Sequence, residues 1–123
     1  MNTENTIDAV RLALNMQDIR ARVAGMNVAN ANKPDATALR VDFAKVEAAL
    51  REVARSGNEV EISHLLTAAG QELAGIEPAT EGAAIRLDGE IGDIAAAGVE
   101  YQALTEALNR QFGLMRIAIA GRI

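Results

Sequence analysis

Two long stretches of the chain carry hydrophobic residues at helical spacing. In the last third, Leu87, Ile91, Ile94, Gly98, Tyr101, Thr105, Leu108, Phe112, Met115 and Ile119 follow one another at steps of four and three. A seven-residue repeat keeps one stripe against a partner helix, so this segment predicts one side of a coiled coil, roughly 50 Å long at ~1.5 Å per residue. Near the start, Ile7, Val10, Leu14, Gln17, Ala21, Ala24, Val28 and Ala31 form one track, with Leu12, Met16, Ile19, Val23 and Met26 beside it. Two tracks make a stripe wider than a two-stranded seam requires. That width fits a helix buried in the middle of its own domain, or a helix touching several neighbours in an assembly.

Punctuation sets the boundaries. Asn5 is a plausible N-cap, with Asp8 in the first turn. Asn27, Asn30 and Pro34 form a helix-terminating motif: asparagine tolerates left-handed backbone, and proline cannot continue the ladder. Phe43, Val46, Leu50 and Val53 predict a short amphipathic helix over about 40–55, broken by Ser56-Gly57-Asn58. Ile62, Leu65, Leu66, Ala69 and Leu73 permit a further short helix, although Gly70 and Gly75 leave an extended or irregular stretch as an alternative. Glu77 to Gly82 reads as a loop, and Asp88 stands where the long helix needs an N-cap.

The predicted fold is mainly α. Long N- and C-terminal helices, 1–34 and 87–123, pair as an antiparallel coiled coil, and a small, partly irregular middle segment, 35–86, is looped out between them. Antiparallel pairing would lay Glu4 and Asp8 near Arg116 and Arg122, and Arg20 and Arg22 near Glu100 and Glu106. Each exposed pair contributes less than ~1 kcal/mol, so charge selects orientation here rather than supplying stability.

Composition narrows the function. Half of the 123 residues are hydrophobic, but many are alanine, and the aromatics are only Phe43, Phe112 and Tyr101. A net charge of −5 argues against a nucleic-acid partner. With no cysteine and a single histidine, His64, neither thiolate chemistry nor a histidine metal set is expected. A carboxylate metal enzyme would need Glu-x-x-His pairs that the chain lacks. Gly89 and Gly92 form no phosphate loop, and no catalytic residue, cofactor or small-molecule substrate is expected. Gly98 and Gly113 each cost a helix up to ~1 kcal/mol, which points either to tolerated weak spots or to close approach by a neighbour. No apolar run reaches the ~20 residues of a membrane span, and the first residues lack a signal peptide's basic and apolar regions.

Two stretches carry a resemblance. Gly25-Met26-Asn27-Val28-Ala29-Asn30-Ala31-Asn32-Lys33-Pro34 resembles the signature closing the first helix of bacterial flagellar rod and hook proteins. Val41-Asp42-Phe43 is similar to the Leu-Asp-Phe that follows it in proximal-rod members. At the other end, Ile85 to Ile91 and the run Val99-Glu100-Tyr101-Gln102-Ala103-Leu104-Thr105-Glu106-Ala107-Leu108-Asn109-Arg110-Gln111-Phe112 resemble the same family's last helix. The matches cover about half the chain. Asp35-Ala36 replaces the family's Gly-Tyr after the proline, and Asn58 to Gly82 matches no part of it.

The resemblance implies a structural subunit without enzymatic activity. Its terminal helices would pair and stack around a hollow, torque-transmitting shaft, the proximal rod of the flagellar basal body. The subunit would be exported by the flagellar type III route without a cleaved signal peptide, and would reside in the periplasmic rod. Its partners would be copies of itself, other rod proteins and the export-gate adaptor. Leu14, Val28, Ile94, Tyr101, Leu108, Phe112 and Met115 are the expected helix–helix and subunit contacts. The competing expectation is a cytosolic helical adaptor or export chaperone that dimerises through the same seams.

Overall fold

The structure is a computed structural model describing residues 1–121. Its elements are α1 (Thr3–Asn30), β1 (Thr37–Arg40), α2 (Ala44–Arg55), α3 (Glu59–Ala74), β2 (Ala79–Ala84) and α4 (Leu87–Ala120). The chain is mainly α, with long terminal helices packed on one another and a small strand pair in the middle. Two contacts give the direction of the helix pair. Gln17 Nε2 donates to Glu100 Oε2 at 2.6 Å, and Asn27 binds Leu39, whose neighbour Arg40 places Nη2 2.6 Å from Glu90 Oε1. Moving forward along α1 from Gln17 to Asn27 moves back along α4 by the same number of residues, so the helices run antiparallel.

Charge pairing is not what sets that direction. Arg20 turns away from α4, pairing with Glu47 at 2.6 Å and lying 4.9 Å over the Phe43 ring. Arg22 pairs with Asp18 one turn back on its own helix, and Arg110 does the same with Glu106. Glu4, Asp8 and Arg116 form no ion pair among the described residues. Arg122 lies outside those residues. The α1–α4 interface instead uses an uncharged amide against a carboxylate.

Both caps differ from expectation. Asn2 is the N-cap of α1, its Oδ1 accepting the Asn5 N–H at 2.8 Å. Asn5 is buried one turn later and donates to Glu59 Oε2 at 2.8 Å and to the Glu59 carbonyl at 3.2 Å, tying the starts of α1 and α3 together. Arg86, not Asp88, occupies the cap position of α4, without a side-chain capping bond, and Asp88 falls in the first turn. At the other end of α1 the helix stops at Asn30, whose carbonyl accepts from Lys33 N–H at 3.0 Å. The chain reverses just after Pro34, at Asp35, whose φ of 58° is left-handed and suits a short polar side chain.

The middle of the chain is not looped out; it supplies most of the core. Asn58 Oδ1 caps α3 by accepting from Val60 and Glu61 N–H at 3.0 and 3.1 Å, so α2 and α3 form a hairpin around Ser56-Gly57-Asn58. Val46 and Val53 of α2 meet Ile62, Leu66, Ala69 and Leu73 of α3, with Phe43 at the entrance. Leu12 and Met16 close this cluster from α1, with Ile19 half-buried beside them. The first half of one track of α1, Leu12 to Ile19, is therefore covered by the chain's own α2–α3 hairpin, while Met26 at its end stays exposed. The other, carrying Gln17 and Ala24, turns to α4.

The expected loop at Glu77 to Gly82 contains most of β2, which pairs antiparallel with β1 in the register Thr37↔Ala84, Leu39↔Thr80 and Arg40↔Ala79. Every residue of β2 is exposed. Ala-Thr-Glu-Gly-Ala-Ala therefore has no inward face and shows none of the alternation by which strands are read.

Ile62 is 0 % exposed, and truncating it leaves a cavity between α2, α3 and α1. Ile62→Ala should cost about 2–5 kcal/mol in urea unfolding. The same truncation at exposed Ile117 of α4 should change stability by less than ~0.5 kcal/mol.

Candidate interaction surface

No residue of α4 belongs to the apolar core cluster, and only Glu90 and Ala97 of this helix are buried. The line of α4 that faces α1 runs Glu90, Ala97, Leu104, Gln111, the last two half-buried. The stripe read from the sequence is rotated away from that line, one half of it by about 40° and the other by the full ~100° step of one residue. Its Ile94, Tyr101, Leu108 and Met115 border the interface: Leu108 is half-buried and the other three stay exposed. Its remaining members turn outward apart from half-buried Thr105, with Ile91 54 %, Phe112 41 % and Ile119 66 % exposed and Gly98 among them. The offset has a plain cause. The line meeting α1 is a carboxylate, an alanine, a leucine and an amide, so hydrophobicity alone favours the neighbouring line. On α1, Leu14 and Val28 lie on the track toward α4 and are half-buried.

Gly98 sharpens the picture. A Cβ there, or at Gly113, would meet no atom within 4 Å. Nothing among the described residues approaches closely enough to need either glycine, although each weakens the helix.

What holds α4 in place is a polar node where α1, β1 and α4 meet. Asn27, 1 % exposed, does not terminate the helix. Its Oδ1 accepts the Leu39 N–H at 2.8 Å and its Nδ2 donates to the Leu39 carbonyl at 3.0 Å. The amide thus stands in for a neighbouring strand and closes the open edge of β1. The next residue, Arg40, places Nη2 2.6 Å from Oε1 of Glu90, whose side chain is 0 % exposed. Arg40 also reaches Glu81 of β2 at 3.5 Å. The Arg40–Glu90 contact is a close ion pair, but neither Glu90 oxygen has a donor in full hydrogen-bond alignment. Burial pushes the Glu90 carboxyl upward; the Arg40 guanidinium, the Asn27 amide and Coulombic attraction to Arg40 outweigh it and hold the group below its usual range.

Beside the node a groove of about 500 Å³ opens between α1, the β1–α2 connection and α4. Val23, Phe43 and Ala97 line it together with Asp42, Asp93 and Glu100. His64 is exposed at a separate shallow depression. Among the described residues no cluster of His, Asp or Glu could hold a metal ion, and no helix is long and apolar enough to cross a membrane.

No protein-family model and no curated protein matches the chain.

The node is not legible in the sequence, where Asn27 reads as part of a helix-terminating motif and nothing marks Glu90 as its distant neighbour. One signal was available: Gln17, Asn27 and Glu90 are polar residues placed on or beside apolar tracks.

Glu90 is held below its ordinary pKa in the fold, so its contribution to stability is complete above roughly pH 4.3 and is lost as pH falls through the lower folded value. Glu90→Gln should cost about 1–3 kcal/mol at neutral pH, because Arg40 is left with only its outer partner. It should also flatten the acid limb of the stability curve, as followed by urea midpoints between pH 3 and 7. An unchanged acid limb would show that the pair contributes nothing.

Proposed function

We propose that the chain is a structural subunit of the bacterial flagellar proximal rod, assembling through the outward flank of α4 in the periplasmic basal body after type III export. The observation that carries this reading is the uncovered track of Ile91, Gly98, Phe112 and Ile119 along a 34-residue helix. Exposed apolar side chains along one flank, interrupted by the unfilled Gly98 and by Thr105, suit a second helix laid alongside. The rod-like runs Asn30-Ala31-Asn32-Lys33-Pro34 and Tyr101-Gln102-Ala103-Leu104-Thr105 support it from the sequence. Copies of the chain, other rod proteins and the export-gate adaptor are the proposed neighbours. No catalysis or cofactor enters this reading.

One observation favours the second reading, a cytosolic helical adaptor or export chaperone that dimerises by the same flank. The core of α1, α2 and α3 is closed within a single copy, as suits a chain that works folded and alone or as a dimer. A rod subunit needs its flank for growth of the shaft, whereas an adaptor needs it before export.

Phe112→Asp separates them. The side chain is exposed, so the isolated protein should keep its helicity and urea midpoint. For a rod subunit the variant should still be secreted, while rod growth and swimming are lost. Normal swimming would overturn the rod reading, and loss of secretion of other rod proteins would establish the chaperone instead.

A further inference from the structure

We propose that the groove beside the polar node is the docking site for the C-terminal turns of α4 from a second copy, seated head to tail by Arg116. This rests on the self-assembly reading above but names a different contact from the α4 flank.

The groove is unbalanced in charge. Arg20 and Arg40 line it, but both are engaged, with Glu47 at 2.6 Å and with Glu90 at 2.6 Å. Asp42, Asp93 and Glu100 line it too and form no direct ion pair among the described residues, although Arg40 lies near Asp93. Glu100 accepts only from the neutral Gln17 amide, and Asp42 only from the Ala44 N–H at 2.9 Å. Between these carboxylates lie Val23, Phe43 and Ala97. The groove therefore calls for a cation carried next to apolar bulk. Its volume of about 500 Å³ is within the ~300–1,000 Å³ of ordinary ligand pockets, room for a few side chains rather than a whole helix.

The far end of α4 carries that combination. Charge is segregated along the helix: Asp88, Glu90, Asp93 and Glu100 occupy its first half, and Arg110 and Arg116 follow in its second, with Glu106. Arg110 is paired with Glu106, whereas Arg116 has no ion pair among the described residues. Met115 and Ile117 flank it and both are exposed, Ile117 at 69 %.

The two parts cannot meet within one chain. Sixteen residues of continuous helix separate Glu100 from Arg116, roughly 24 Å at ~1.5 Å per residue, and Asp93 is farther still. The complement must come from another copy. Groove and turn are different surfaces, so a head-to-tail contact between copies leaves one groove and one turn free at the ends, unless the row closes on itself as a ring or a reciprocal two-fold pair.

Sedimentation velocity of the full chain over a concentration series tests this, with Arg116→Glu, Asp93→Lys and the double variant at low and raised salt. Each single reversal should weaken association about tenfold, and the double variant should recover it, because the charges are exchanged and still complementary. Association of the wild type should weaken with salt. Circular dichroism and urea midpoints confirm that each variant is folded, which matters for Asp93 since it lies near Arg40. Phe112→Asp serves as the separate probe of the flank. Loss of assembly in Phe112→Asp with Arg116→Glu unaffected would overturn the groove contact and leave the flank reading standing. Loss in Arg116→Glu with Phe112→Asp unaffected would do the reverse. Single variants that weaken without recovery in the double, or a wild type that stays monomeric at the highest attainable concentration, would overturn the proposal.

Discussion

A buried carboxylate at the junction of three elements constrains this fold more than any apolar contact does. Glu90 is sealed from water, and Arg40 reaches it from β1 while its carboxyl is held below its usual range. Arg40 can do so only if β1 is held in place, and β1 is held by the two hydrogen bonds between the Asn27 amide and Leu39. The end of α1, the first strand and the start of α4 are thus mutually dependent. Isolated buried charge is costly, so each partner is tied to the other two.

That arrangement divides the molecule by the kind of force at work. On one face of α1, Leu12 and Met16 join the α2–α3 hairpin in an ordinary hydrophobic cluster. On the other, α4 rests through an alanine, a leucine and amide–carboxylate contacts, and exposes most of its bulky side chains. Area removed from water favours the first face strongly and the second weakly. A long helix held by position-specific polar contacts, with its apolar residues turned out, has its best remaining hydrophobic gain in another molecule.

The long helices were legible because their periodicity runs for many turns and needs no tertiary knowledge. Val46, Val53, Ile62, Leu66, Ala69 and Leu73 were also visible as short amphipathic patterns. Their role was not, since nothing in the spacing says that α2 and α3 fold back on α1 rather than loop away. The strands were hidden because β1 has four residues and β2 buries none of its six. The rotation of the α4 stripe was hidden for a deeper reason. A hydrophobic pattern reports which side of a helix prefers to leave water, and here that side is the one its own chain leaves uncovered. Asn5 and Asp88 were misplaced as caps for the ordinary reason that a polar residue near a helix end can serve either the backbone or a distant side chain.

The scarcity of aromatics has an experimental side. The chain has no tryptophan and one tyrosine, Tyr101, which sits at the margin of the α1–α4 interface and outside the central cluster. Its ultraviolet emission is a natural reporter on the last helix alone, blind to the melting of the hairpin beneath. Tracked against far-ultraviolet ellipticity, which sums over all four helices, it offers a label-free way to see whether that helix lifts off before the rest of the molecule comes apart.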